Sequence, residues 1–536
     1  MTTRLRRRTG GVARAAVLIG VLTILARVAG FGRTVVFSQT VTKSCLSDAY
    51  FTANQIPNII FEIVAGGALA SMVVPVLAGP AERGDRELVR RTAAAMLTWT
   101  SVALLPLSLL AMIAAHPIME LLAGGGLGGC NRADFVAVGA RMLVVFAPQI
   151  LLYGLAIVLY GVLQAHRRFT GPALAPLVSS LVVIGAYVAY VPAMGGHDPT
   201  NLAGLPKEAE LVLSVGTTLG VVALVVVAVL AAWPLGLGYR PSLRFPPGVA
   251  ARVGGLAVAG LATVVAQQLA MLAVLVLKGQ GTRGALTDYN FAWAVFLLPW
   301  AILAVPIATS AFPVLSARAA EGEHGAFDRT VASTTRAVVL VSGAGGAALM
   351  AVALPVADFL DHGRNDQPYV LARAIVTFAP GLIGYGLVAH LGRVLYACGR
   401  GRESAVATVT GWGVVLIADV VLVLLVPRDW VVAAFGVGNT LGMTVAGGLL
   451  LIALRRARGP ASVGGMPRAA AAGLIGGILG GLSGYGAAAA MGTGGQVDDV
   501  AVALGAAALA GGVFVVLAYL IDGRDLRAVL TRRVAR

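Results

Sequence analysis

Five arginines sit in stretches otherwise too apolar for water: Arg27, Arg33, Arg141, Arg373 and Arg393. At a bilayer centre each costs about 2.5–3.5 kcal/mol, so each needs a partner, a route to the interface or a polar cavity. Arg27 and Arg33 stand apart because they share one segment, Ala26-Arg-Val-Ala-Gly-Phe-Gly-Arg33. Their six-residue separation amounts to about 9 Å along an ideal helix and roughly 120° around it. Gly30 and Gly32 lie between them as a candidate hinge, able to bend or unwind the helix and turn both guanidiniums toward one cavity. Guanidinium grips phosphate through paired hydrogen bonds, so two of them point to an anionic cargo of the diphosphate kind. Arg141, Arg373 and Arg393 are read first as snorkelling or ion-paired, with Arg141 and Arg373 kept as further candidate binding residues.

The acidic counterparts are few. Asp48 opens the second apolar stretch after Ser47, where helix capping is the plain reading and cargo contact the functional one. Glu62 lies one turn after Asn58 and is placed to pair with an arginine of the first span. Asp419 falls inside Val414–Val426, where an unpaired carboxylate is expensive, which makes it a candidate ligand for a coupling Na+ or H+. Thr440 and Thr444 share a helical face and are expected to complete that site. No nucleotide-binding loop, metal-ligand spacing or acid/base constellation appears, so the chain reads as a transporter with no cofactor and not as an enzyme.

These residues need elements to hold them. Of 536 residues, 58% are hydrophobic and 12% charged, which excludes a soluble domain of this size. Apolar stretches recur from end to end, about fourteen in number, each long enough to cross a bilayer. The fold class is therefore all-α and polytopic, with no hydrophilic domain. The first stretch follows Arg4, Arg6, Arg7 and Arg8 but continues through Arg27 and Arg33 without a cleavage site, so it is read as a retained span.

The net charge of +16 would suggest nucleic acid if the basic residues shared one surface. Instead they alternate from loop to loop. With both termini inside, the outer loops hold Lys43, Arg132, Lys207, Lys278, Arg283, Arg364 and Arg428, and the cytoplasmic loops hold most of the rest. That is the positive-inside pattern, pointing to a plasma membrane with anionic lipids as neighbours and no nucleic acid. Cys45 and Cys130 both fall outside, where a disulfide is one option among others; Cys398 falls inside.

An internal repeat organises the spans. Ala140–Leu155 aligns without gaps to Ala372–Leu387 with nine of sixteen positions identical, including Arg141/Arg373, Pro148/Pro380 and Tyr153/Tyr385. A weaker match sets Pro57 and Val74-Pro-Val-Leu77 beside Pro299 and Phe312-Pro-Val-Leu315. Both pairs lie six spans apart and keep one orientation, so the duplicated unit is a six-helix lobe. The expected organisation is a basic N-terminus at 1–14, a first lobe at 15–234, a second at 250–454, a final helix pair at 467–521 and a basic tail at 522–536. Spans 47–79, 134–164, 285–316 and 367–396 carry the repeat residues.

Beyond composition, particular motifs resemble a known family. Ala26–Arg33, Ser47-Asp-Ala-Tyr-Phe51, Ile56-Pro-Asn58, Gly67-Ala-Leu-Ala70, Val74–Leu77, Gly161–Phe169 and Pro313–Ser316 resemble the MurJ (MviN) family of lipid II flippases, along essentially the full chain. The resemblance implies the multidrug/oligosaccharidyl-lipid/polysaccharide (MOP) exporter fold: two six-helix lobes and a final helix pair forming a groove for a polyprenyl tail. It also implies a lipid-linked glycan precursor as cargo, cavity arginines on its diphosphate, membrane potential and in some members sodium as drive, and cell-wall synthesis proteins as partners. Arg27, Arg33 and Asp48 match family positions. Phe61, Gly66 and the stretch Ala292–Ala294 stand where the family carries charged cavity residues, and Glu62, Arg141 and Arg373 are the available substitutes. The same superfamily contains cation-coupled drug exporters, whose cargo would call for carboxylates and aromatics in place of two arginines.

Overall fold

The computed structural model describes residues 2–64, 73, 76–77, 79–81, 83–124, 127–236, 238, 240–245, 249–361, 368–492 and 495–531. Among them secondary structure is helical throughout, with no strand. Twelve helices are long and apolar enough to cross a membrane, or thirteen when the pair Tyr369–Phe378 and Gly381–Ala397, bent by 44°, is counted as one span. The expected second span, 47–79, runs partly outside the described residues.

The chain forms two compact units, one of residues 1–123 and 130–268, the other of 124–129 and 269–536. The division falls inside a helix rather than in the loop before residue 250.

In the first unit the helices are α1 Thr2–Thr40, α2 Cys45–Glu62, α3 Arg86–Ile113, α4 Ala115–Leu122, α5 Arg132–Phe146, α6 Gln149–Ala165, α7 Thr170–Met194 and α8 Lys207–Ala232, followed by α9 Val249–Leu277, which carries the division. In the second they are α10 Ala285–Pro299, α11 Val305–Ala320, α12 His324–Ala351, α13 Ala353–Asp361, α14 Pro368–Phe378, α15 Gly381–Ala397, α16 Gly401–Leu425, α17 Val431–Arg458, α18 Met466–Met491 and α19 Gln496–Thr531.

The repeat is visible in the helix breaks. Pro148 caps α6 and Pro380 caps α15, each ending a span's first half at the shared Phe-Ala-Pro sequence. Proline lacks the N–H that would continue the helix ladder, so both spans break at the same repeat position. Pro299 is followed by a π-helical turn, Trp300–Ala304, before α11 resumes.

The final pair α18–α19 packs directly on α12 of the second unit. Gly343 of α12 approaches Gly473 of α18 so closely that a Cβ on it would lie 2.6 Å from the Gly473 carbonyl oxygen. Ala347, Ala351, Ala472, Ala506, Ala510 and Phe514 fill the seam of α12, α18 and α19. Small residues replace the hydrophobic driving force that lipid removes, letting backbones meet.

Candidate functional site

The first unit holds the N-terminal arginines. Helix α1 runs unbroken through Gly30 and Gly32, and a Cβ at either would meet nothing within 4 Å. The expected unwinding at these glycines is therefore not a feature of this conformation. Arg27 and Arg33 keep the angular separation of a continuous helix, are both exposed, and make no ion pair among the described residues.

One turn after Arg33, Phe37 is buried against Tyr50, Phe51 and Tyr187. The Tyr50 hydroxyl lies 2.9 Å from that of Tyr187 and 2.7 Å from Thr217 Oγ1. Arg33 is within electrostatic reach of Tyr50, Tyr153 and Tyr187. The sequence does not join these tyrosines; the one sign of the cluster there is tyrosine inside apolar spans. It presents neutral hydroxyls beside one guanidinium, so nothing in it cancels the positive charge.

Asp48 is buried on the first turn of α2. The cap of that helix is Ser44, whose side chain accepts from the Ser47 N–H while Ser47 Oγ accepts from the Ser44 N–H. Capping by Ser47-Asp48 is thus corrected by one turn, since the reciprocal serine pair satisfies the orphan N–H groups. Among the described residues Glu62 makes no ion pair, so its expected pairing with Arg27 or Arg33 of the first span is not formed in this conformation. Beside it, Phe61 packs on Tyr153 with ring centroids 4.4 Å apart. Gly66 lies outside the described residues.

Arg141 and Arg373 behave alike. Arg141 donates from Nε and Nη2 to the Glu210 carboxylate at 2.9 and 2.7 Å, with Glu210 in the first turn of α8. Arg373 donates to Asp429 at 2.6 Å and its guanidinium lies 4.6 Å over the Trp430 ring. Both are committed to partners at the start of the sixth helix of their own lobe. As candidate substitutes for missing cavity arginines they are corrected, because each charge is already matched.

The second position expected to carry an arginine is also aromatic. Trp293 stacks with Tyr289 and Phe296 and meets Tyr385, the repeat counterpart of Tyr153, edge-on at 6.0 Å. Both lobes therefore place a ring against the repeat tyrosine where the resemblance calls for charge. Arg393 turns back on its own helix to the Ala389 carbonyl.

Asp419 is 1% exposed on α16, and neither carboxylate oxygen has a hydrogen-bond partner among the described residues. It faces Gly438 of α17, where a Cβ would come within 2.0 Å of Oδ1. Thr440 does not join it. Two residues on from Gly438 a helix has turned roughly 200°, and Thr440 Oγ1 instead donates to the Thr377 carbonyl and accepts from the Gly381 N–H at the α14–α15 break. Thr444 donates to the Thr440 carbonyl of its own helix. The three-residue cation site is thus corrected to Asp419 without the threonines. Asn439, next to Gly438, is buried with both side-chain amide atoms unpartnered among the described residues.

Cys45 and Cys130 form a disulfide across 85 residues, joining the start of α2 to the segment before α5.

Comparison with known proteins gives the geometry a context. A family model described as "Lipid II flippase MurJ" matches residues 37–487. A lipid II flippase MurJ of Burkholderia cenocepacia is 27% identical over 447 residues, covering 83% of this chain and 84% of that protein. One from Thermosipho africanus is 26% identical over 174 residues, covering 32% and 34%. Among solved structures, a MurJ in an inward closed conformation superposes with a TM-score of 0.69 at 16% identity, covering 97% of this chain and all of that one (100%). An inward-facing multidrug MATE transporter of the MOP superfamily gives 0.64 at 15% identity, covering 81% and 94%. The structural likenesses carry the MOP fold, and the family match spans most of the chain: this protein belongs to the MurJ family of lipid II flippases.

Proposed function

We propose that this protein translocates an undecaprenyl diphosphate-linked peptidoglycan precursor, lipid II, across the bacterial plasma membrane by alternating access. The observation that carries this reading is the contrast among arginines. Arg141 and Arg373 are matched by acids, whereas Arg27 and Arg33 have no ion-pair partner among the described residues, so their positive charge is available to a diphosphate. The headgroup is held at α1 while the lipid tail stays in the bilayer, with Asp48 and Glu62 shaping the approach. Hinge motion at Gly30 and Gly32, around which a side chain would meet open space, accompanies the change of state.

Both termini are placed in the cytoplasm, from where the precursor is taken to wall-synthesis proteins outside. The disulfide supports this orientation, since it puts Cys45 and Cys130 on the oxidising side. Asp419, with two unpartnered carboxylate oxygens, suits a monovalent coupling ion or a proton.

Complementation of cells depleted of their lipid II flippase tests the reading. Rescue by the intact chain and loss of rescue in Arg27→Ala/Arg33→Ala, at equal membrane insertion, is the expected result. Failure of the intact chain, correctly inserted, would move the cargo to another undecaprenyl-linked glycan or to the drug-exporter class.

A further inference from the structure

A cavity of about 700 Å³ lies in the first unit between the start of α3 and the segment after α8, lined by Arg90, Arg91, Arg240, Ser242, Arg244 and Phe245 among others. The loop is held there. Gly236 and Gly238 adopt left-handed backbone (φ 60° and 46°), a Cβ on Gly238 would lie 4.0 Å from Arg90 Nη1, the Ser242 N–H donates to Thr98 Oγ1 at 3.1 Å, and Phe245 packs against the core around Val89, Ala93 and Met96.

Its charges are unequally used. Glu87 accepts from Arg90 Nε at 2.9 Å and Arg91 Nε at 2.6 Å, and Asp85 Oδ1 accepts from the Leu88 N–H at 3.0 Å. Both acids in the wall are thereby occupied. The guanidiniums of Arg240 and Arg244 have no hydrogen-bond or ion-pair partner among the described residues, and both residues are exposed, Arg244 bonding only through its backbone to Ser242 Oγ. The cavity keeps two uncompensated guanidiniums.

The surroundings say what kind of anion suits it. Trp99, 46% exposed, donates its indole N–H to the Leu243 carbonyl at 3.0 Å, fixing an amphipathic ring at the rim, as at a membrane interface. From Trp99 an apolar stripe of α3 continues through Val102, Leu105 and Leu109, each about half exposed. A phosphate between Arg240 and Arg244 would have acyl chains lying along that stripe, whereas a soluble anion would make no use of it.

We propose that this cavity is a binding site for an anionic glycerophospholipid of the cytoplasmic leaflet, its phosphate held by Arg240 and Arg244 and its acyl chains running down α3 past Trp99. The site is separate from the arginines of α1 and stands whether or not the cargo is lipid II; it relies on the proposed orientation only for the choice of leaflet.

Native mass spectrometry of the detergent-solubilised full chain tests it, with phosphatidylglycerol, phosphatidylcholine and sn-glycerol 3-phosphate as probes. Expected is preferential retention of phosphatidylglycerol, lost roughly thirty-fold in Arg240→Ala/Arg244→Ala, from about 1 kcal/mol for each basic residue near a lipid phosphate. Arg240→Lys/Arg244→Lys should retain part of the binding. Removing the same charge at Arg455 and Arg456 should leave it unchanged. Equal loss in that control would make the effect one of net charge and overturn the site. Equally tight glycerol phosphate would make it a soluble-anion pocket, and unchanged phosphatidylglycerol binding in the double alanine variant would also overturn the proposal.

Discussion

The Arg141 guanidinium meets the Glu210 carboxylate through two hydrogen bonds of 2.9 and 2.7 Å, and its repeat counterpart Arg373 meets Asp429 at 2.6 Å. The duplicated arginine is thus used twice in the same way, as a tie between the fourth and sixth helices of each lobe. Glu210 is buried while Arg141 is half exposed, so the acid depends on the pair more than the base does.

Arg141→Ala and Arg373→Ala are therefore stability variants. We expect Arg141→Ala to lower thermal stability in detergent by about 1–2 kcal/mol, below the value for a fully buried pair because Arg141 is solvent-screened. Flipping per folded molecule should persist. A transport loss equal to that of Arg27→Ala, at full stability, would return Arg141 to the cargo site.

Arg27→Lys and Arg33→Lys separate charge from geometry. A lysine keeps the positive charge but loses the bidentate fork, so each single lysine variant should rescue growth partly and each alanine variant little or not at all. Full rescue by alanine at both positions, measured in the depletion strain, would remove the diphosphate role.

Asp419→Asn tests coupling. The substitution preserves shape beside Gly438 and removes the charge, so folding should be retained while the sodium or pH dependence of transport in proteoliposomes disappears. Gly438→Ala should be far worse for stability, by about 1–3 kcal/mol, since its methyl would be driven into the Asp419 carboxylate. Transport with unchanged ion and pH dependence in Asp419→Asn would leave the aspartate structural.

Cys398 reports orientation. It is the free cysteine of the chain, and burial, its strongest influence, raises its thiol above the usual range. A raised value keeps the thiol protonated at neutral pH, so maleimide labelling should be slow near pH 7 and accelerate at higher pH than for an ordinary cysteine. An impermeant maleimide should reach it in inverted vesicles and not in intact cells, while Cys45 and Cys130 react only after reduction. The opposite sidedness would reverse the topology.

What was legible in the sequence was local or periodic. Apolar length gave the spans and the Phe-Ala-Pro repeat gave the duplicated lobe, while the breaks that the structure shows at Pro148 and Pro380 follow from a missing N–H that acts on its own helix wherever it sits. Family motifs carried the class. The partners of the charges were another matter. Arg141 finds Glu210 69 residues away and Arg373 finds Asp429 56 residues away. Thr440 turns from Asp419 because helix packing, not sequence spacing, sets which face of α17 meets α16. Hydropathy and helix breaks depend on neighbours in the chain, so sequence determined them; which arginines remain free for an anion depends on neighbours in space, and the tertiary structure decided that.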